Sequence, residues 1–131
     1  MLLYEFEGKQ LFKNLGINVP HAQLIRSPEE LDPAVTLRMV RGIILKAQLL
    51  SGKRADSGGI IAIDNQELVA DSVKDLFGKT INGQKVEALL VEERIDIDKE
   101  YYNVNNCFRT RALAQKALNK ILKVLKKARK E

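Results

Sequence analysis

Cysteine occurs once, at Cys107, and histidine once, at His21. A lone cysteine excludes an internal disulfide and a cysteine-based metal cage, and it suits a reducing cytoplasm. One histidine excludes a multi-histidine metal centre. Beside Pro20 at the head of an expected strand, His21 reads as a surface turn residue rather than a base. Aromatic residues make up 5% of the chain. That is too few for a stripe of stacking and basic side chains, so nucleic acid is not an expected partner. No apolar run reaches the length of about eighteen residues that a membrane span needs. The opening "MLLYEFEGKQ" is too acidic, and too short in apolar length, for a secretory signal. The expectation is an unexported, cytoplasmic protein without a membrane span.

What is present fits one domain. The chain has 131 residues, 45% of them hydrophobic, enough for a modest core. Its formal net charge of +5 is unevenly spread. Residues 109–131 hold nine Lys/Arg against one acid, whereas residues 1–108 hold thirteen basic and sixteen acidic side chains. The basic character belongs to the tail, and the composition changes near "NVNNCF".

Hydrophobic spacing alternates between helix and strand types. "YEFEGKQLFKNLG" predicts a helix stopped by Gly16, and "AQLIR" a strand. Ser27, Pro28 and Glu30 carry the start signal of a second helix, expected to run until just before Gly42, with Pro33 disturbing its first turns. "GIILKAQL" and "GGIIAID" predict strands, and "NQELVADSVKDLFG" a helix capped by Asn65 and stopped by Gly78. "KTINGQK" reads as a turn, "EALLVEERIDI" as a strand and "KEYYNV" as a possible continuation. This order predicts an α+β fold with a mostly antiparallel sheet and helices packed on it. A basic amphipathic helix follows, with Ala114, Ala117, Leu118, Ile121, Leu122, Leu125 and Ala128 on one face and lysines opposite. Packing on the sheet is its expected role; binding a partner or an anionic surface is the alternative.

Between the two middle strands lies "SGKRADSGG". Lys46 on the preceding strand, with Lys53 and Arg54 in a glycine-rich loop, could grip phosphate oxygens, because glycine lets backbone N–H groups close over the same anion. A solvated hairpin has the same composition, so on this stretch alone the two readings stand level. The loop matches neither the P-loop nor the Rossmann pattern.

Three segments together, "LYEFEGKQLFKNLGINVP", "ILKAQLLSGKRADSGGI" and "LLVEERIDIDKEYY", resemble in order and spacing the N-terminal part of the β subunit of ADP- or GDP-forming succinyl-CoA synthetase. That subunit and its acyl-CoA ligase relatives belong to the ATP-grasp superfamily. The resemblance covers residues 1–103 and implies an ATP-grasp N-terminal subdomain that covers the nucleotide, leaving 104–131 as linker and amphipathic helix. It places Lys46 on the nucleotide-phosphate lysine of a "V-K-x-Q" strand, here "LKAQ". It places Lys53, Arg54 and Ala55 on a loop that usually reads "GGRGKAGG" and here reads "GKRADSGG". Glu92 falls on the acidic end of the hinge strand, Ile95 on a hinge backbone contact and Glu100 on a further nucleotide-contacting glutamate.

The departures are as informative. Two loop glycines have become Lys53 and Ala55, and the lysine two places after the arginine is Asp56. The "E-I-N-P-L" strand that carries the family's magnesium asparagine has no counterpart, nor has the CoA-ligase domain. The implied function is a truncated or degenerate β subunit of an ADP-forming succinate–CoA (acyl-CoA) ligase contributing part of an ATP (or GTP) site. Magnesium would be held only with ligands from another chain, and an α subunit is a candidate partner. No catalytic residue is assigned, and phosphoryl transfer by the chain alone is not expected. The alternative is a non-catalytic α+β binding module that uses its basic helix.

Overall fold

The computed structural model describes residues 2–95, 119–124 and 127. Glu100, the possible "KEYYNV" strand, the boundary at 103/104 and most of the C-terminal helix's apolar face lie outside the described residues. The chain divides into two units, residues 1–10 with 19–95 and residues 11–18 with 96–131. Within the second unit, residues 119–124 and 127 are helical, with Leu122 and Val124 exposed.

Helix α1, Glu5–Asn14, places Glu5 and Glu7 in its first turn, where the unsatisfied N–H groups favour negative charge. The Glu7 carboxylate reaches back to accept from the Tyr4 amide at 2.8 Å. At the other end Gly16, at φ +73°, reverses the chain. Its amide donates to Lys13 at 3.0 Å and the Ile17 amide to Phe12 at 2.9 Å, the paired bonds of a left-handed helix stop.

The second helix is not the single element its start signal predicts. A 3-10 turn at Pro28–Glu30 comes first, and helix α2, Pro33–Arg38, begins afresh. Proline has no N–H to donate and drives the residue before it out of helical geometry. Asp32 accordingly sits at φ −88°, ψ 112°, and its side chain caps α2 by accepting from the Ala34 amide at 2.8 Å. Ser27 makes no side-chain cap.

Strands β1 (Ala22–Ile25), β2 (Ile43–Ala47), β3 (Ile60–Ile63) and, after helix α3 (Val69–Phe77), β6 (Leu89–Glu93) form one sheet in the order β1-β6-β2-β3. Every neighbouring pair is antiparallel. "KTINGQK" is a small hairpin of its own, β4 (Thr80–Ile81) and β5 (Gln84–Lys85), joined by Asn82 and Gly83. Asn65 caps the 3-10 turn leading into α3, accepting from the Glu67 amide, whereas Gly78 keeps right-handed helical geometry at φ −75°.

Successive strand residues alternate faces, and the register fixes which side chains share one. Ile43, Leu45 and Ala47 of β2 lie with Leu89 and Val91 of β6 and Ile25 of β1 in a core shared with Val69, Val73 and Leu76 of α3. Those α3 residues recur at i, i+4 and i+7, one stripe of the helix. The opposite face carries Lys46, Leu90 and Glu92, since Lys46 pairs with Leu90, and Glu92 with Ile44. A polar cluster is thus displayed on a sheet whose other side supplies the rigidity.

Candidate functional site

Lys46 projects from the middle strand β2, and Glu92, two places along β6 from the partner of Lys46, stands on the same face within reach. The Lys46 ammonium donates to Glu92 Oε1 at 2.9 Å and to Glu5 Oε1 at 3.0 Å. Glu5 is the first residue of α1. Its other oxygen, Oε2, accepts from Arg54 Nη2 at 2.9 Å. Lys9, one turn along α1, pairs with Glu5 Oε1 at 3.2 Å and with Glu92 Oε2. Three cations and two carboxylates therefore form one continuous network. Glu92 is its most buried member, with a side chain only 5% exposed.

Burial pushes the Glu5 carboxyl up, but the charge and hydrogen bond of Lys46, helped by Lys9 and Arg54, outweigh it and hold the group at about 2. Lys9 moves the other way for a cation in ion pairs: burial, then the neighbouring charge of Lys46, lowers it against the pull of Glu5.

The loop after β2 is shaped to bring Arg54 into this network. Arg54 Nη1 donates to the Ala47 carbonyl at 2.8 Å, and the Gly59 amide donates to the Arg54 carbonyl at 2.7 Å. A Cβ at Gly59 would stand 3.1 Å from that carbonyl oxygen and 3.3 Å from Ile81, so any other residue would have to push these neighbours back by a few tenths of an ångström. Lys53, at φ +57°, lies in the left-handed region that side chains avoid, at the position where the resembling family has glycine. Ala55, the other replaced glycine, is not among the residues of positive φ. A depression of about 480 Å³ opens here, lined by Leu3, Glu5, Leu50, Ser51, Lys53, Arg54 and Ala55 among others. Ser51 Oγ is buried without a hydrogen-bond partner.

Of the residues singled out in the sequence, Lys46, Arg54 and Glu92 meet in the network, and Lys53 and Ala55 line the depression with Arg54. Ile95, two residues past β6, is 47% exposed and contributes nothing to the ion pairs. Sequence reasoning missed Glu5, Lys9 and Gln48. Gln48 accepts from the Phe6 amide at 3.1 Å and donates to the Lys46 carbonyl at 2.9 Å, tying α1 to the end of β2. A glutamate–lysine pair at i, i+4 on α1 and the glutamine of "LKAQ" were the available signals.

Two cations from different elements converging on both oxygens of one carboxylate can equally grip phosphate oxygens, so the donor set fits a polyphosphate. No group of three or more His, Cys, Asp or Glu that could hold a metal ion occurs among the described residues, and none is assigned to magnesium. No helix among the described residues is long and apolar enough to cross a membrane.

Residues 2–122 match the family model described as "ATP-grasp domain". The chain is 44% identical over 103 residues to the succinate–CoA ligase [ADP-forming] subunit beta of Staphylothermus marinus, covering 78% of this chain and 27% of that one. With the subunit of the same name from Methanocaldococcus jannaschii it shares 40% identity over 102 residues, with the same coverage. The chain thus spans about a quarter of the length of these relatives. The crystal structure of phosphoribosylamine–glycine ligase from Thermotoga maritima superposes with a TM-score of 0.55 at 23% identity, over 72% of this chain and 23% of that one, a likeness of fold. The match along residues 2–122 makes this chain a member of the ATP-grasp domain family.

Proposed function

We propose that the chain forms the phosphate-gripping wall of the nucleotide site in the β subunit of an ADP-forming acid–CoA ligase. The observation that carries this is the convergence of Lys46 and Arg54 on one carboxylate, 3.0 and 2.9 Å from its two oxygens. A carboxylate here stands where a phosphoryl group would be held. Lys46 would take the phosphates from the sheet, with Lys53, Arg54 and the backbone at Ala55 covering them from the loop. Glu92 would keep Lys46 aligned on the phosphates and itself meet the ribose or adenine end of the nucleotide, with Ile95 offering a hinge backbone group and Glu100 a further contact. Bound ATP (or GTP) would supply the phosphoryl group. This chain's residues would orient it and neutralise its charge. The nucleotide-covering part would comprise 1–103, with 104–131 as linker and basic helix. Magnesium ligands and the CoA-binding parts would come from elsewhere in the assembly, an α subunit included.

Calorimetric titration with ATP, with and without magnesium, tests the reading. One wall of a cleft leaves much of the ligand wet, so the expected dissociation constant is about millimolar. Lys46→Ala should abolish the binding. Submicromolar affinity, or equal affinity in Lys46→Ala, would refute this assignment.

A further inference from the structure

In this arrangement the anion position between Lys46 and Arg54 is already filled, by Glu5. Its two carboxylate oxygens engage one cation each, and the depression beside the loop opens onto Glu5 and Arg54. A phosphate oxygen brought against the same two donors would meet a carboxylate oxygen of the same sign. Like charges at contact distance repel strongly away from bulk water, so one of the two anions has to leave. Each cation has a second anchor independent of Glu5: Lys46 keeps Glu92 at 2.9 Å, and Arg54 keeps the Ala47 carbonyl at 2.8 Å. Departure of Glu5 therefore leaves both donors aimed.

The element that carries Glu5, helix α1, is held without a fully buried anchor. Its first turns make polar contacts, Glu5 to Lys46 and Arg54, Lys9 to Glu92, and the Phe6 amide to Gln48, beside a half-buried Phe6 ring that stacks on Tyr4 and lies 6.0 Å from the Arg26 guanidinium. Polar contacts exchange for water or another anion at far lower net cost than buried apolar area. Resting on the nucleotide-site reading above, we infer that Glu5 is a resident counter-anion, filling the polyphosphate position and displaced with the first turn of α1 when a polyphosphate binds. Binding is thereby coupled to release of that turn, and the resting site neither exposes bare cations nor accepts simple anions freely.

The test uses the full chain, with inorganic tripolyphosphate and ATP as probes, in wild type, Glu5→Gln, Lys46→Ala and Arg54→Ala. Removing the competing charge should tighten binding of both probes about tenfold in Glu5→Gln, while Lys46→Ala and Arg54→Ala weaken it. In wild type, saturation with tripolyphosphate should accelerate hydrogen exchange of the Phe6 and Gly8 amides, which donate to Gln48 and to the Tyr4 carbonyl in the docked state. That measurement needs no variant and stands even if Glu5→Gln folds poorly. Unchanged Phe6 protection at saturation overturns displacement. So does affinity in Glu5→Gln equal to or below wild type while Lys46→Ala still weakens binding, which would make Glu5 a positioning residue and leave the site standing. Tightening confined to ATP overturns it too, since the displaced charge faces phosphates and not the base. If Lys46→Ala and Arg54→Ala bind as wild type does, or no chain binds either probe, the site itself falls and the inference with it.

Discussion

Replacing Glu5 by glutamine removes one charge from the network at nearly constant volume, and pH dependence isolates its contribution. The folded state holds the Glu5 carboxyl at about 2 against an ordinary 4.5. At about 1.4 kcal/mol per tenfold change in proton affinity, that difference corresponds to roughly 3 kcal/mol. The side chain is 20% exposed, so solvent screening reduces this to about 2 kcal/mol. Because the folded value is depressed, the stabilisation is fully present above 4.5 and is lost as pH falls towards about 2. Urea unfolding followed by circular dichroism should show Glu5→Gln less stable than wild type by about 2 kcal/mol near neutrality. More than half of that gap should be gone at about pH 3, where wild-type Glu5 is almost wholly protonated in the unfolded chain but still largely ionised in the fold. Carboxylates outside the network titrate alike in both chains and cancel in the difference, so Glu92, which shares Lys46 and Lys9 with Glu5, is the one neighbour whose response enters it. A gap as large at about pH 3 as near neutrality, or no gap near neutrality, would refute the assignment of the depressed carboxyl to Glu5.

Lys53→Gly should raise stability by up to about 1 kcal/mol in thermal unfolding, because relief of left-handed strain exceeds the entropy glycine adds to the unfolded chain, whereas Lys53→Val should lower it. Ser51→Ala should be neutral or stabilising by about 1 kcal/mol, since it removes a buried hydroxyl without a partner. Glu92→Gln should cost about 3 kcal/mol or more in urea unfolding, as it leaves Lys46 and Lys9 without their most buried counter-charge. It should also weaken ATP binding in titration.

The parts of the fold legible in the sequence are those whose signals are local. The i, i+4, i+7 stripe of Val69, Val73 and Leu76 defines α3, and the apolar runs around Leu45, Ile61 and Val91 define three sheet strands. Where a single residue overrode the pattern, the reading slipped. Pro33 split one expected helix into a 3-10 turn and α2, and Asp32 rather than Ser27 made the cap. "KTINGQK" looked like a turn because its strands are two residues long, too short for period-two alternation to register. Lys46, Arg54 and Glu92 were legible through their motif context. Glu5 and Lys9 were not, because Glu5 meets Lys46 across 41 positions and Lys9 meets Glu92 across 83. No window along the chain reports that the start of α1 lies over the polar face of the sheet.

The two carboxylates of the network look equivalent by charge and differ by attachment. Glu92 is fixed in β6, backbone-paired to β1 on one side and β2 on the other, and is nearly inaccessible. Moving it would require opening the sheet. Glu5 rides on the first turn of a helix with no fully buried residue, and both of its oxygens face donors that keep other partners. The same Coulombic attraction therefore has two consequences. Around Glu92 it fixes Lys46 in place whatever else binds, so losing that carboxylate lowers stability and anion affinity together. Around Glu5 it stabilises the fold only while the anion position is otherwise empty, so losing that carboxylate lowers stability and raises affinity. A purely structural ion-pair network would move both quantities in the same direction for both residues, and the opposite signs at Glu5 are what distinguish a resident counter-anion from a brace.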